Sequence, residues 1–212
     1  MEDLDRIYDA AFFAEWGRSN QLYLASAWTV ANAVADQFRP RRVVDLGCGC
    51  AVYAHMLAQR GVETVNLDGV LAPEEARYPF EVHLRDLTRP VENEWGAFDL
   101  ALCLEVAEHI PEADLPVFLA NVTGFSDTLL LSAAPPDQGG HHHVNERPRR
   151  YWVRKLKERG FAYDRPATGR LCERLKAQGL PYMWMALHLC VYRRATDPRQ
   201  LEHGLPFDAS LG

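Results

Sequence analysis

The chain has 212 residues, 48% hydrophobic and 25% charged, the profile of one globular domain with enough apolar side chains to bury a sizeable core. Disordered, collagenous and coiled-coil chains are excluded, and no run approaches the roughly 18 apolar residues that span a bilayer, so no membrane partner is expected. Lys and Arg number 23 against 29 Asp and Glu, a formal charge of -6, which withholds the broad positive field behind non-specific nucleic-acid binding and sets nucleic acid aside as a partner.

The start, Met1-Glu2-Asp3-Leu4-Asp5, is acidic where a signal peptide is basic, so a cytoplasmic location is expected. Ser19 to Phe38 reads as an amphipathic helix that covers the sheet or a ligand. Next come a strand at Arg42 to Leu46, a helix at Tyr53 to Arg60 stopped by Gly61, and strands at Val62 to Leu67, Phe80 to Leu84 and Phe98 to Cys103. A helix over Glu112 to Val122 follows Pro111, a strand spans Thr128 to Ser132, and a helix over Arg149 to Arg159 stops at Gly160. Strands alternating with helices predict a parallel sheet of βαβ units. In the last third, Phe161 to Tyr163, Leu171 to Gln178 and Pro181 to Trp184 precede a strong strand at Ala186 to Tyr192, expected antiparallel at the end of the sheet. One domain is predicted: a helical cap (1–40), a core (41–194) and an extended tail (195–212). The cysteines, Cys48, Cys50, Cys103, Cys172 and Cys190, form no Cys-x-x-Cys pair and read as reduced, mostly buried thiols.

The segment Val43-Val44-Asp45-Leu46-Gly47-Cys48-Gly49-Cys50-Ala51 leaves a buried strand, turns on glycines and enters a helix. Glycines suit a turn that a ligand must approach closely. Asp68 ends the second strand, where a carboxylate accepts from ribose hydroxyls in nucleotide-binding sheets, and Asp86 follows the third. Three acids along one crevice serve a phosphate-bearing dinucleotide poorly and suit a cationic, phosphate-free nucleoside.

Asp45-x-Gly47-x-Gly49, Asp68, Asp86-Leu87, Phe98-Asp99-Leu100 and Glu105-Val106-x-Glu108-His109 resemble the ordered motifs of class I S-adenosylmethionine-dependent methyltransferases, from about Val43 to Arg193. The resemblance implies a Rossmann-like, doubly wound α/β fold: a seven-stranded, mostly parallel sheet with the last strand antiparallel and helices on both faces. It also implies S-adenosylmethionine as cofactor and S-adenosylhomocysteine as its product. Asp45 belongs to the cofactor motif, with Gly47 and Gly49 beside the cofactor's amino-acid portion, Asp68 on its ribose, and Asp86 with Leu87 at the adenine. Ala51 stands where the family usually has a third glycine.

Methyl transfer from a sulfonium is an in-line displacement, so the acceptor must be held close to the methyl group and, if a hydroxyl, deprotonated. Glu105, Glu108 and His109 share one face of a helical turn, and His141-His142-His143 follows the fifth strand. Glu-x-x-Glu-His with a distal histidine looks like the metal site of small-RNA 2′-O-methyltransferases and ubiquinone-pathway O-methyltransferases. If carried over, it makes Glu105, Glu108, His109 and His143 ligands of a divalent ion that lowers the acceptor's pKa. In the metal-free alternative Glu105 contacts the cofactor, Glu108 caps the helix after Pro111, and His109 or His143 acts as base, or His109 bonds to the backbone. His142 is the second choice for the loop's functional member.

The basic run Arg147, Arg149, Arg150, Arg154, Lys155 and Lys157 reads either as a solvated helix face or as a patch for a substrate phosphate or carboxylate. Aromatic residues Tyr8, Phe12, Phe13, Trp16, Tyr23, Trp152, Tyr182 and Trp184 are core or pocket wall. The reading is methylation of a hydroxyl on a small metabolite or natural product by a monomer or homodimer. Its rivals are an N-methyltransferase or RNA 2′-O-methyltransferase, and a silent cofactor-binding partner or regulator.

Overall fold

The structure is a computed structural model in which residues 4–203 are described. Its strands are β1 (Arg42–Leu46), β2 (Glu63–Asp68), β3 (Val82–Leu84), β4 (Leu100–Leu104), β5 (Thr128–Ser132), β6 (Phe161–Tyr163) and β7 (Cys190–Arg194). They form one sheet in the order β3-β2-β1-β4-β5-β7-β6. The first five are parallel, and β7 runs antiparallel to both β5 and β6.

Central strands are apolar on both faces because helices cover both. Val43, Leu100, Leu102 and Leu130 pack on one side against α3 (Gln21–Phe38), α4 (Val52–Ala58), α7 (Arg165–Gln178) and α8 (Trp184–His188). Their neighbours Val44, Ala101, Leu129 and Leu131 alternate to the other side, against α5 (Leu115–Val122) and α6 (Arg149–Lys157). A fully buried leucine such as Leu102 or Leu129 contributes roughly 1.5–3 kcal/mol. Such a core can hold strained turns in place at its edge.

Caps set the helix ends. Asn20 accepts hydrogen bonds from the N–H groups of Leu22 and Tyr23 to start α3, and Asp164 accepts from Ala167 N–H to start α7, each satisfying first-turn donors that lack an intrahelical partner. Two short helices, α1 (Leu4–Ile7) and α2 (Ala10–Glu15), precede α3, and α9 (Pro198–His203) follows β7.

Several expected boundaries move. Ala186 to Tyr192 is not one strand: Trp184–His188 is helical and pairing begins at Cys190 opposite Leu131. Nor is β7 at the sheet's end, since β6 lies outside it. The expected extended tail contains α9, and residues 204–212 lie outside those described. Helix α5 starts at Leu115, after a turn in which Asp114 N–H bonds to the Pro111 carbonyl.

Strands β1 and β4 are adjacent although β2 and β3 separate them in the chain. The chain therefore reverses direction across the sheet at their carboxyl ends, the place where open α/β sheets bind ligands. Among the described residues, no helix is long and apolar enough to cross a membrane.

Candidate active site

The turn after β1 is fixed by its own backbone. Gly47 and Cys48 donate their N–H groups to the Leu67 carbonyl at 2.8 and 3.0 Å, tying the end of β1 to β2. Gly47 has φ +83°, and a β-carbon there would lie 2.4 Å from Val106 Cγ2. Gly47→Ala is therefore expected to lower stability by about 2 kcal/mol, the sum of left-handed strain and forced displacement of Val106, measured by denaturant unfolding. Gly49, at φ +52°, has nothing within 4 Å of the place a β-carbon would occupy. Ala51 caps α4 at φ 54° and is fully buried, so the alanine takes the left-handed conformation that the family's third glycine would adopt without strain.

Asp68 accepts from Gly49 N–H at 2.7 Å and Val70 N–H at 3.0 Å. Burial pushes its carboxyl up, and these donors oppose the push. Asp86 accepts from the N–H and the hydroxyl of Thr88 at 2.8 and 2.6 Å. Asp45 is 2% exposed and its Oδ2 has no hydrogen-bond partner. Burial, then the charge of Asp68, push the Asp45 carboxyl up to about 7.

Past β4 the chain makes a sharp corner. Glu105 adopts φ 56°, strain of about 1–3 kcal/mol for a residue with a β-carbon, and its N–H bonds to the Ser132 carbonyl and hydroxyl, both at 3.1 Å. A single 3-10 turn, Ala107–His109, follows. Glu108 is fully buried, and among the described residues neither of its carboxylate oxygens has a hydrogen-bond partner. Burial, and then the charge of Glu105, push its carboxyl well up. The Glu108 carbonyl accepts the N–H groups of Val144 and Asn145 at 3.0 and 2.9 Å, which docks the histidine loop on this turn.

That docking brings Glu108, His109 and His143 together, with one ligand atom from each lying within 4.8 Å of the others. Each imidazole is oriented through Nδ1: His109 donates to the His142 carbonyl at 3.3 Å and His143 to Glu146 Oε1 at 2.9 Å. With those nitrogens protonated, both Nε2 atoms keep a lone pair. Burial lowers the His109 pKa to about 4, so the ring is neutral at pH 7. A β-carbon on Gly140 would meet the His143 ring at 2.3 Å, so that glycine makes room for the ring.

A cavity of about 250 Å³ opens over these strand ends. Gly47, Gly49, Asp68, Asp86, Leu87, Glu105 and His109, all singled out in the sequence, line it. Asp45, Glu108 and His143 do not line it. Among the described residues the ligand cluster comprises Glu108, His109 and His143, and Glu105 borders the cavity with its carboxyl beside that of Glu108. Tyr8, Phe12 and Phe13 of the N-terminal helices form part of its wall, and the Tyr8 ring meets the His109 ring edge-on at 5.6 Å. Trp16, Tyr23, Tyr182 and Trp184 instead pack on one another, and Trp152 is core. Sequence reasoning passed over Glu146 and Gly140, though the i, i+3 spacing of His143 and Glu146 was a usable signal.

A family model described as a methyltransferase domain matches residues 18–125, just over half the chain. The chain belongs to the class I S-adenosylmethionine-dependent methyltransferases. This methyltransferase is 31% identical over 80 residues to the ubiquinone biosynthesis O-methyltransferase of Pseudomonas aeruginosa strain LESB58, 34% of each chain; the match thus spans about a third of that relative's length. Among solved structures it superposes with TM-score 0.59 and 18% identity on the 1,6-didemethyltoxoflavin-N1-methyltransferase of Burkholderia thailandensis, bound to 1,6-didemethyltoxoflavin and S-adenosylhomocysteine, over 91% of this chain and 89% of that one. With an O-methyltransferase from a trans-AT PKS multienzyme of Brevibacillus brevis, in complex with S-adenosyl-L-homocysteine, the TM-score is 0.53 at 15% identity, covering 81% and 72%. At these identities the neighbours speak for the methyltransferase's fold.

S-adenosylmethionine fits the residues present. Glu105, which lines the cavity, has a buried Oε1 with no partner among the described residues, an acceptor for a ligand that brings cationic donors. Gly49 leaves open space where the ligand must approach. Among the described residues, Arg89 is the only Arg or Lys lining the cavity.

Proposed function

We propose that this chain catalyses S-adenosylmethionine-dependent methylation of a hydroxyl on a small molecule, with a divalent ion held by Glu108, His109 and His143. The observation that carries the reading is the adjacency of two sets of groups. Gly49, Asp68 and Asp86 share a cavity with Glu105 and His109, and His109 also belongs to the three-residue ligand cluster.

In this reading Asp68 accepts from the ribose hydroxyls, Asp86 and Leu87 flank the adenine, and Gly47 and Gly49 let the amino-acid portion approach. Glu105, at the cavity edge, accepts from the cationic end of the cofactor, and Asp45 lies behind the glycine turn. When bound, S-adenosylmethionine supplies an electrophilic methyl group on a sulfonium. The cluster suits a divalent ion because the Glu108 oxygens have no hydrogen-bond partner among the described residues and each imidazole is held through Nδ1, which leaves Nε2 for the ion; a mixed nitrogen and oxygen set favours manganese, iron, cobalt, nickel or zinc over magnesium. Such an ion would lower the pKa of the acceptor hydroxyl. Glu146 holds the His143 ring in place, and His109 at a pKa of about 4 is too weak a base to replace the ion's effect on a hydroxyl.

Calorimetric titration of manganese into metal-stripped protein tests the cluster. About one ion per chain is the expected stoichiometry, weakened at least tenfold by Glu108→Ala or His143→Ala, with S-adenosylhomocysteine affinity retained. A survey of hydroxyl-bearing acceptors, read as S-adenosylhomocysteine release, tests the reaction. Release only with amine acceptors moves the reading to N-methylation, and cofactor binding without turnover on any acceptor makes the chain a cofactor-binding partner.

A further inference from the structure

A second cavity, about 290 Å³, lies between the carboxyl end of β5, the start of α6, α8 and β7. None of its lining residues lines the first cavity. Leu131, Ala133 and Pro135 give it apolar walls, and Arg147, Arg149, Trp152, His188 and Tyr192 give it polar groups.

Those polar groups are short of partners. Trp152 is 2% exposed and Tyr192 fully buried, yet among the described residues neither the indole Nε1 nor the phenol oxygen, which lies against the Cys190 thiol, nor Nδ1 of the half-buried His188 has a well-formed hydrogen bond. Unsatisfied buried polar groups are costly, and a folded chain rarely gathers several around one space without a ligand to relieve them. Arg149 bonds to the Leu187 carbonyl and, among the described residues, forms no ion pair. Arg147, by contrast, lies 3.5 Å from Glu112, which also accepts the Tyr151 hydroxyl. Pro148 caps α6 without any side-chain acceptor for its first turn.

We propose that this cavity binds the carboxylate of a small molecule with an apolar body, held by Arg149, Trp152 Nε1 and the Tyr192 hydroxyl. A carboxylate has acceptors only, which answers a set of donors, and an arginine matches its two oxygens with paired N–H groups. One uncompensated cation suits a monoanion better than a phosphate dianion, and the apolar walls cover a hydrocarbon body. The basic stretch at the start of α6 thereby divides: Arg149 serves the cavity, while Arg154 and Lys155 lie against the Tyr151 ring. Methyl transfer plays no part in this inference, which stands or falls independently of the first site.

Benzoate is the probe, with benzamide as its uncharged counterpart and inorganic phosphate as the anion without an apolar body. The readout is the ¹H–¹⁵N indole resonance of Trp152, assigned through Trp152→Phe. Benzoate is expected to shift that resonance saturably, and benzamide and phosphate to bind at least tenfold more weakly. Arg149→Gln should weaken benzoate at least tenfold while preserving a cooperative thermal melt, and Arg147→Gln should weaken it less. The proposal is overturned by an unmoved Trp152 resonance, by benzamide or phosphate binding as well as benzoate, or by undiminished benzoate affinity in a folded Arg149→Gln protein. If Arg149→Gln does not fold, the benzamide and phosphate comparisons on the unaltered chain decide alone.

Discussion

Asp68→Ala is expected to weaken S-adenosylhomocysteine binding at least 100-fold. Two losses combine. A carboxylate that accepts from ribose hydroxyls makes charge-assisted hydrogen bonds, each contributing about 1.5–3 kcal/mol, and the alanine removes both. The same carboxylate also holds the N–H groups of Gly49 and Val70, so the glycine turn loses its brace and must be ordered by the ligand itself. Asp68→Asn separates these effects in part: Gly49 and Val70 donate to different carboxylate oxygens, so its single amide oxygen keeps one of the two braces, and it should fall between the parent and the alanine variant. Calorimetry on both proteins, with thermal melts to establish folding, decides the matter. Affinity within threefold of the parent in folded Asp68→Ala would show that the ribose is held elsewhere.

Asp45→Asn carries the second large effect, on the pH dependence of stability. The folded carboxyl holds its proton up to about pH 7, whereas an unfolded one releases it near 3.9. The folded state then binds more protons between those values, so stability falls as pH rises through that window and changes no further above it. A displacement of about three pKa units corresponds to a loss on the order of 4 kcal/mol. The neutral, isosteric asparagine is free of this loss, so the variant should match the parent near pH 4 and exceed it by that order at pH 8. His109, whose folded pKa is lowered to about 4, gives a slope of opposite sign between about pH 4 and 6.5. Glu108 and Glu105, both raised by burial, give slopes of the same sign as Asp45. All three groups are common to both proteins and cancel in the difference. Parallel stability curves for the two proteins across this range would place Asp45 in a more polar setting than its burial indicates.

Much of the frame was legible because buried parallel strands leave apolar runs in the sequence. Arg42–Leu46 and Thr128–Ser132 were located at both ends, and the acids at successive strand ends marked the crevice. Helix α8 was misread because Met185 and Ala186 are as buried as strand residues, and an apolar run too short for a clear period does not declare its conformation. Glu108 and His109 were visible as a local pattern, and His143 only as a candidate. Its approach depends on Glu108 accepting the N–H groups of Val144 and Asn145, which no spacing encodes. The second cavity was invisible because it draws its lining from β5, α6, α8 and β7, each of which reads as ordinary core or surface when taken alone.

The placement of β1 beside β4 also bears on how the chain folds. Val44 pairs with Ala101 and Asp45 with Leu102, so the glycine turn and the Glu105 corner meet only after the whole β2–β3 segment has been looped out and closed. Pairings of such sequence separation form slowly, since the loop must be closed before the contact rewards it. The histidine loop comes later still, because it docks on Glu108 from beyond β5. An unfinished chain at the ribosome can therefore carry the glycine turn and Asp68 without a competent pocket, and capture of the cofactor becomes a mark that the sheet is complete.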